Sequence, residues 1–203
     1  GDYQTPDAAL ASGEIDANSY QHEPFLQAYN ANNKTDLVVA GKTYLAPLAL
    51  YSKKIKSASE IKDGATIAIP NDPSNGGRAL QLLAKQGWIE LKPDVPATKV
   101  TKADITKYVK KIKIVEIEAP QLPRSLDDTT ASVINAGYAF AANLTKKDQI
   151  VAEDNTSPYV NIIAVKKGRE TDPSIVKYIE IFHTEPVKKF IEDKYKGQVV
   201  PAW

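Results

Sequence analysis

The chain has 203 residues, and its 26 Lys and Arg nearly balance its 25 Asp and Glu, for a net charge of +1. That balance provides no broad basic field for nucleic acid, so no nucleic-acid partner is expected. With no cysteine, disulfides, thiolate zinc sites and cysteine nucleophiles are excluded, and no run approaches the roughly 18 apolar residues of a membrane span.

Residues 6–10 open a helix at Pro6. Residues 37–40, 66–69, 112–117, 131–134 and 160–165 are short and rich in β-branched side chains, as strands are. Between them, residues 59–63 form a short helix closed by the turn glycine Gly64. Residues 77–85 form a clear helix and residues 121–128 a short one. The tail from 172 to 195 reads as two helices broken near Pro186. Alternating strands and helices predict an α/β fold with an open, mostly parallel sheet covered by helices. Residues 44–51, apolar and interrupted by proline, and the polar residues 154–159 read as crossings between lobes. They divide the chain into an outer lobe, residues 1–50 with 154–203, and a middle lobe, residues 51–153. Ligands of such architectures sit in the cleft between lobes.

Three groups of residues carry chemistry. In residues 69–80 a strand enters a tight loop that opens a helix. Ser74 or Asn75 can cap that helix. Gly76 and Gly77 let an anion approach its free N–H groups, and Arg78 adds a planar fork matched to a carboxylate. The same pattern also suits a plain strand–helix turn with a solvent-facing arginine. Tyr20, His22 and Phe25 place three rings within six positions, fit to grip a thioether or aliphatic chain, or to form a core cluster with a satisfied histidine. Asn135 and Tyr138, with Tyr159 and Asn161, end or begin apolar strands. A buried amide there needs partners and can accept from an ammonium. The alternatives are a turn for Asn135 and an outward strand position for Asn161.

The two histidines, His22 and His183, and the carboxylate spacing suggest no metal set, and no cofactor is expected. No Gly-x-Ser-x-Gly elbow is present, and no enzyme is expected. The lysines of residues 107–113 are interrupted by apolar side chains and read as a solvated face.

Residues 20–22, 57–63, 68–80, 118–124, 133–135, 157–163 and 195–203 together resemble the methionine-binding lipoprotein family (NlpA/MetQ type) of ABC importers. The resemblance implies a two-lobed, type II periplasmic-binding-protein-like fold with mixed sheets flanked by helices. It implies capture of free methionine for an ABC permease and its ATPase, and a location on the bacterial cell envelope, lipid-anchored and facing the periplasm or outer surface. By that likeness Arg78 and Asn75 take the ligand's carboxylate end, and Asn135 and Asn161 its zwitterionic head. Tyr20, His22 and Phe25 take the thioether, and Tyr138 matches a frequently aromatic position of the site. Other ligands suited to the scaffold are a methionine-containing dipeptide or another apolar amino acid, and a surface interaction lipoprotein is a further alternative. The sequence opens Gly1-Asp2-Tyr3 and contains no methionine. It is read as a processed or shortened form, lacking the family's first strand and helix and its lipidated cysteine, with the missing piece supplied elsewhere.

Overall fold

The computed structural model describes residues 2–154 and 157–203. In chain order its elements are α1 (Thr5–Ser12), β1 (Ala17–Asn18), α2 (Glu23–Asn33), β2 (Leu37–Leu45), β3 (Ala49–Tyr51), β4 (Thr66–Pro70), α3 (Pro73–Lys85), β5 (Ile89–Leu91), β6 (Ile105–Tyr108), β7 (Lys113–Ile117), α4 (Leu122–Ser125), β8 (Ala131–Ile134), α5 (Ala136–Ala141), β9 (Gln149–Ala152), β10 (Val160–Lys166), α6 (Pro173–Phe182), α7 (Glu185–Tyr195) and β11 (Val200–Pro201). They fall into two compact units. Unit 1 comprises Gly1–Ala46 and Asn155–Trp203, and unit 2 is Pro47–Asp154. The division between Ala46 and Pro47 falls within the expected crossing at residues 44–51 but four residues before the lobe bound at residue 50, because β3 pairs with both β8 and β9 and so belongs to unit 2. Of the second suggested crossing, Asn155 and Thr156 lie outside the described residues.

Unit 2 holds a five-stranded sheet in the order β7-β4-β8-β3-β9. Strand β4 runs parallel to β7 and β8, while β3 is antiparallel to its neighbours β8 and β9. Ile67, Ala68 and Ile69 of β4 are fully buried, as expected of a central strand covered on both faces. Helix α3 starts one turn earlier than residue 77. Asp72 takes the N-cap position and accepts the Asn75 backbone N–H at 3.0 Å, with Pro73 in the first turn, a position proline favours because its missing N–H is not needed there. Gly76 and Gly77 therefore lie inside the helix, and their small size serves the protein's own backbone. A Cβ on Gly77 would stand 2.4 Å from the Val100 carbonyl oxygen, and one on Gly76 3.0 Å from that of Pro70. Strands β5 and β6 form a separate antiparallel hairpin. It absorbs Lys107 and Tyr108 from the lysine-rich run, and Lys107 pairs with Glu90 at 3.0 Å.

Unit 1 holds a four-stranded sheet, β1-β10-β2-β11, in which every pairing is antiparallel. The mostly parallel sheet expected from alternation is thus confined to β7-β4-β8. Parallel neighbours need a crossover between them. Residues 66–134 provide such crossovers, whereas β2 and β10 come from opposite ends of the chain. Leu10, Leu26, Leu37, Ile162 and Ala164 form the core beneath the first two helices. Helix α6 lies close over β2, where a Cβ on Gly41 would meet Ile179 at 3.2 Å. Among the described residues no helix is long and apolar enough to cross a membrane, and no group of three or more His, Asp or Glu is placed to hold a metal.

Candidate binding site

The C-terminal ends of the adjacent parallel strands β4 and β8 bring two loops together within unit 2, as such ends commonly do at ligand sites. The loop after β4 enters α3, carrying Asp72, Asn75 and Arg78, and the loop after β8 carries Asn135. Asn75 donates its side-chain amide to both oxygens of Asp72, at 3.0 and 3.1 Å. Its carbonyl oxygen accepts from Asn135 Nδ2 at 3.0 Å. The Asp72 carboxylate also accepts from Ser74 Oγ at 3.1 Å, so this helix N-terminus is occupied by a carboxylate of the chain itself. Asn135 occupies the N-cap position of α5, yet its side chain does not cap that helix. Its Oδ1 is buried and finds no hydrogen-bond partner among the described residues. An orphaned buried acceptor costs about 1–3 kcal/mol, which a donor from outside would recover.

Arg78 is buried rather than solvent-facing, with 3 % of its side chain exposed. Its Nε donates to Glu153 Oε1 at 2.7 Å and its Nη2 donates to Glu153 Oε2, so one edge of the fork meets one carboxylate. Tyr138 sits half-buried in the first turn of α5.

The other set of residues belongs to unit 1. Phe25 packs edge-on against Tyr20, with ring centroids 6.1 Å apart, and against His22 at 6.3 Å. Tyr3 joins Phe25 at 5.8 Å and Tyr159 joins His22 at 5.0 Å. His22 is also the N-cap of α2, and its Nδ1 accepts the Phe25 backbone N–H at 3.2 Å. That bond places a neutral ring's proton on Nε2. Asn161 is buried, not outward, because β10 is buried along nearly its whole length. It bridges to His22 and donates to the Tyr20 carbonyl at 3.3 Å. Burial pushes the Tyr44 phenol above its ordinary range, opposed by a hydrogen bond with Asn161. Burial does the same to Tyr20, aided by the charge of Asp7, so both phenols keep their protons at neutral pH.

The eight residues singled out in the sequence therefore form two groups: Asn75, Arg78, Asn135 and Tyr138 in unit 2, and Tyr20, His22, Phe25 and Asn161 in unit 1. Asp72, Glu153 and Tyr3 were not among them. Asp72 had a readable signal, an acid before a proline at a helix start. Glu153 carries no local pattern, because its partner lies 75 residues away. Tyr159 had been noted beside Asn161 without a role.

The model of the NlpA lipoprotein family matches residues 1–203. A Vibrio cholerae protein named "Probable D-methionine-binding lipoprotein MetQ" is 44% identical over 203 residues, covering 100% of this chain and 75% of its own length. The Escherichia coli D-methionine-binding lipoprotein MetQ is 43% identical, with the same two coverages. A solved structure described as a nutrient binding protein from Burkholderia cenocepacia bound to methionine is 45% identical. It superposes with a TM-score of 0.97 over 100% of this chain and 86% of its own.

Proposed function

Since the chain belongs to the NlpA lipoprotein family, we propose that it captures free methionine outside the cytoplasm and delivers it to an ABC permease and its ATPase, by binding alone and without bond chemistry. The observation that carries this reading is the buried Asn135 Oδ1, an acceptor with no partner among the described residues, on a side chain bonded to Asn75 of the helix that also carries the buried Arg78. A free amino acid brings the complementary pair, an ammonium that donates and a carboxylate that accepts. In this reading Arg78 takes the carboxylate and Asn135 accepts from the ammonium, while the family likeness assigns Asn161 to the zwitterionic head as well. The family likeness assigns Tyr20, His22 and Phe25 to the thioether, through sulfur–aromatic contacts of about 0.3–1.5 kcal/mol each, and Tyr138 to the ligand as well. The methionine named in several relatives and bound in the Burkholderia protein supports this assignment. Relatives named lipoproteins support a place on the cell envelope. The 203 residues hold no cysteine, so a lipid anchor requires a residue outside them.

Calorimetric titration of ligand-stripped protein tests the reading, with both enantiomers of methionine, leucine and a glycyl-methionine dipeptide in parallel. Methionine should bind tightest and, at 100 times its dissociation constant, stabilise the fold by about 2.7 kcal/mol. Absence of methionine binding, or tighter binding of the dipeptide or leucine, overturns it.

A further inference from the structure

The orphaned acceptor of Asn135 stands at the end of a line of amides whose other end is a carboxylate. Asp72 Oδ1 accepts the Asn75 backbone N–H at 3.0 Å, Asn75 Nδ2 at 3.0 Å and the Ser74 hydroxyl at 3.1 Å. Asp72 Oδ2 accepts from the same Asn75 Nδ2 at 3.1 Å. Asn75 Oδ1 accepts from Asn135 Nδ2 at 3.0 Å, and Asn135 Oδ1 finds no partner among the described residues. Ser74, Asn75 and Asn135 are all buried, and the whole line lies within unit 2.

The two ends of an asparagine amide have nearly the same shape, so its partners decide which end is oxygen and which is nitrogen. Asp72 removes that choice. A carboxylate has no proton to give, so it faces the NH2 group of Asn75. The Asn75 oxygen is thereby turned to Asn135, where it requires a donor, and the Asn135 NH2 group supplies one. What Asn135 has left is its oxygen. Reversing Asn135 alone would set two amide oxygens against each other. Reversing both amides would set the Asn75 oxygen against a carboxylate, at the cost of charge-assisted bonds, which are the stronger kind.

We infer that Asp72 is a positioning residue for ligand selectivity: through Asn75 it fixes Asn135 as an acceptor, and so selects a ligand that donates at that point. This rests on the reading of Asn135 as the acceptor for a ligand's ammonium. Asp72 itself needs no contact with the ligand. The role goes beyond capping α3, a task that asparagine performs equally well.

The test uses D72N, which keeps a cap acceptor of the same size but offers Asn75 one acceptor and one donor, so that both amides can reverse. Three probes are titrated calorimetrically into the wild type and D72N. They are L-methionine, its des-amino analogue, which has no group in place of the ammonium, and its α-keto analogue, which has a carbonyl acceptor there. The two analogues carry the same charge, so loss of the Asp72 charge acts on both alike and cancels in their ratio. The wild type should bind L-methionine about a hundredfold tighter than the des-amino analogue, and the keto analogue no tighter than that. In D72N the affinity for the keto analogue, relative to the des-amino one, should rise about tenfold. A role confined to capping or to the fold leaves that ratio unchanged, so a D72N ratio within about twofold of wild type overturns the assignment. D72S, whose hydroxyl also caps a helix and both donates and accepts, takes the place of D72N if thermal melting shows that D72N does not fold. A wild type that binds L-methionine no tighter than the des-amino analogue overturns the ammonium reading of Asn135, and the role of Asp72 with it. That failure shows in the wild type, the other only in the variant, so the two are told apart.

Discussion

Asp7 accepts the Gln21 side-chain amide at 2.6 Å, yet each of these two fully enclosed side chains keeps a second oxygen, Asp7 Oδ2 and Gln21 Oε1, without a partner among the described residues. Burial pushes the Asp7 carboxyl above its ordinary range, against the pull of the bonds from Asn18 and Gln21. A raised native value means that the folded chain binds a proton the unfolded chain has already released. Stability from this group is present at low pH and falls as pH rises through the native value. Asp7→Asn removes the buried charge and keeps an oxygen for the Asn18 and Gln21 amides, so it should raise stability at neutral pH by about 1–2 kcal/mol. It should also flatten stability against pH above the usual carboxylate range. Urea melts of both proteins from pH 4 to pH 8 check this; a less stable variant at neutral pH contradicts it.

Asn135→Ala removes an acceptor that no other described residue uses. The fold should lose about 1–3 kcal/mol, because Asn75 Oδ1 also loses its donor, while methionine affinity should fall about 10- to 100-fold, as expected for a buried charge-assisted bond. Calorimetry gives the affinity and thermal melting the stability. Equal affinity in the two proteins would remove Asn135 from the site.

His22 combines two tasks, capping α2 and packing a ring between those of Phe25 and Tyr159. Substitutions should separate them. His22→Asn keeps a cap acceptor and loses the ring; His22→Ala loses both. The alanine variant should be about 1 kcal/mol less stable than the asparagine variant, while both lose methionine affinity alike. Chemical denaturation with parallel titrations reads the two effects, and equal stability of the variants would refute the capping contribution.

Gly77→Ala drives a Cβ to 2.4 Å from a backbone oxygen, that of Val100, which has no flexible end to yield. A loss of about 1–3 kcal/mol is expected. Methionine affinity should fall as well, because Asn75 and Arg78 flank that turn. A variant with wild-type stability in urea would show that residues 97–100 move aside freely.

What the sequence revealed followed how local each signal was. Strands β4, β8 and β10 were readable from apolar runs alone, because they are buried along most of their length. Helix α2 was missed: its last turn is rich in asparagine, a poor helix former, so its stability comes from tertiary contacts and the His22 cap. Strand β3 was hidden by Pro47 just before it, and its place depends on β8 and β9, more than eighty residues later. At the candidate site, Arg78 and Asn135 could be picked out by chemical type, but their partners could not. Capping by Asp72 lay two or three residues ahead of the expected Ser74 or Asn75 because Pro73 stands in the first turn, and the glycine pair lies against the backbone of Pro70 and Val100.

The two units are also unequal in how their strands are spread along the chain. Pro47–Asp154 is one uninterrupted stretch, whereas the other sheet depends on β10, which pairs with both β1 and β2. A nascent polypeptide emerges in order at about 5–20 residues per second, so β2 would wait roughly 6 to 24 seconds for β10. Throughout that interval an apolar strand edge stays open to the wrong neighbour. The contiguous half can meanwhile complete its own sheet, which makes the opening forty-six residues the segment most in need of a holding chaperone.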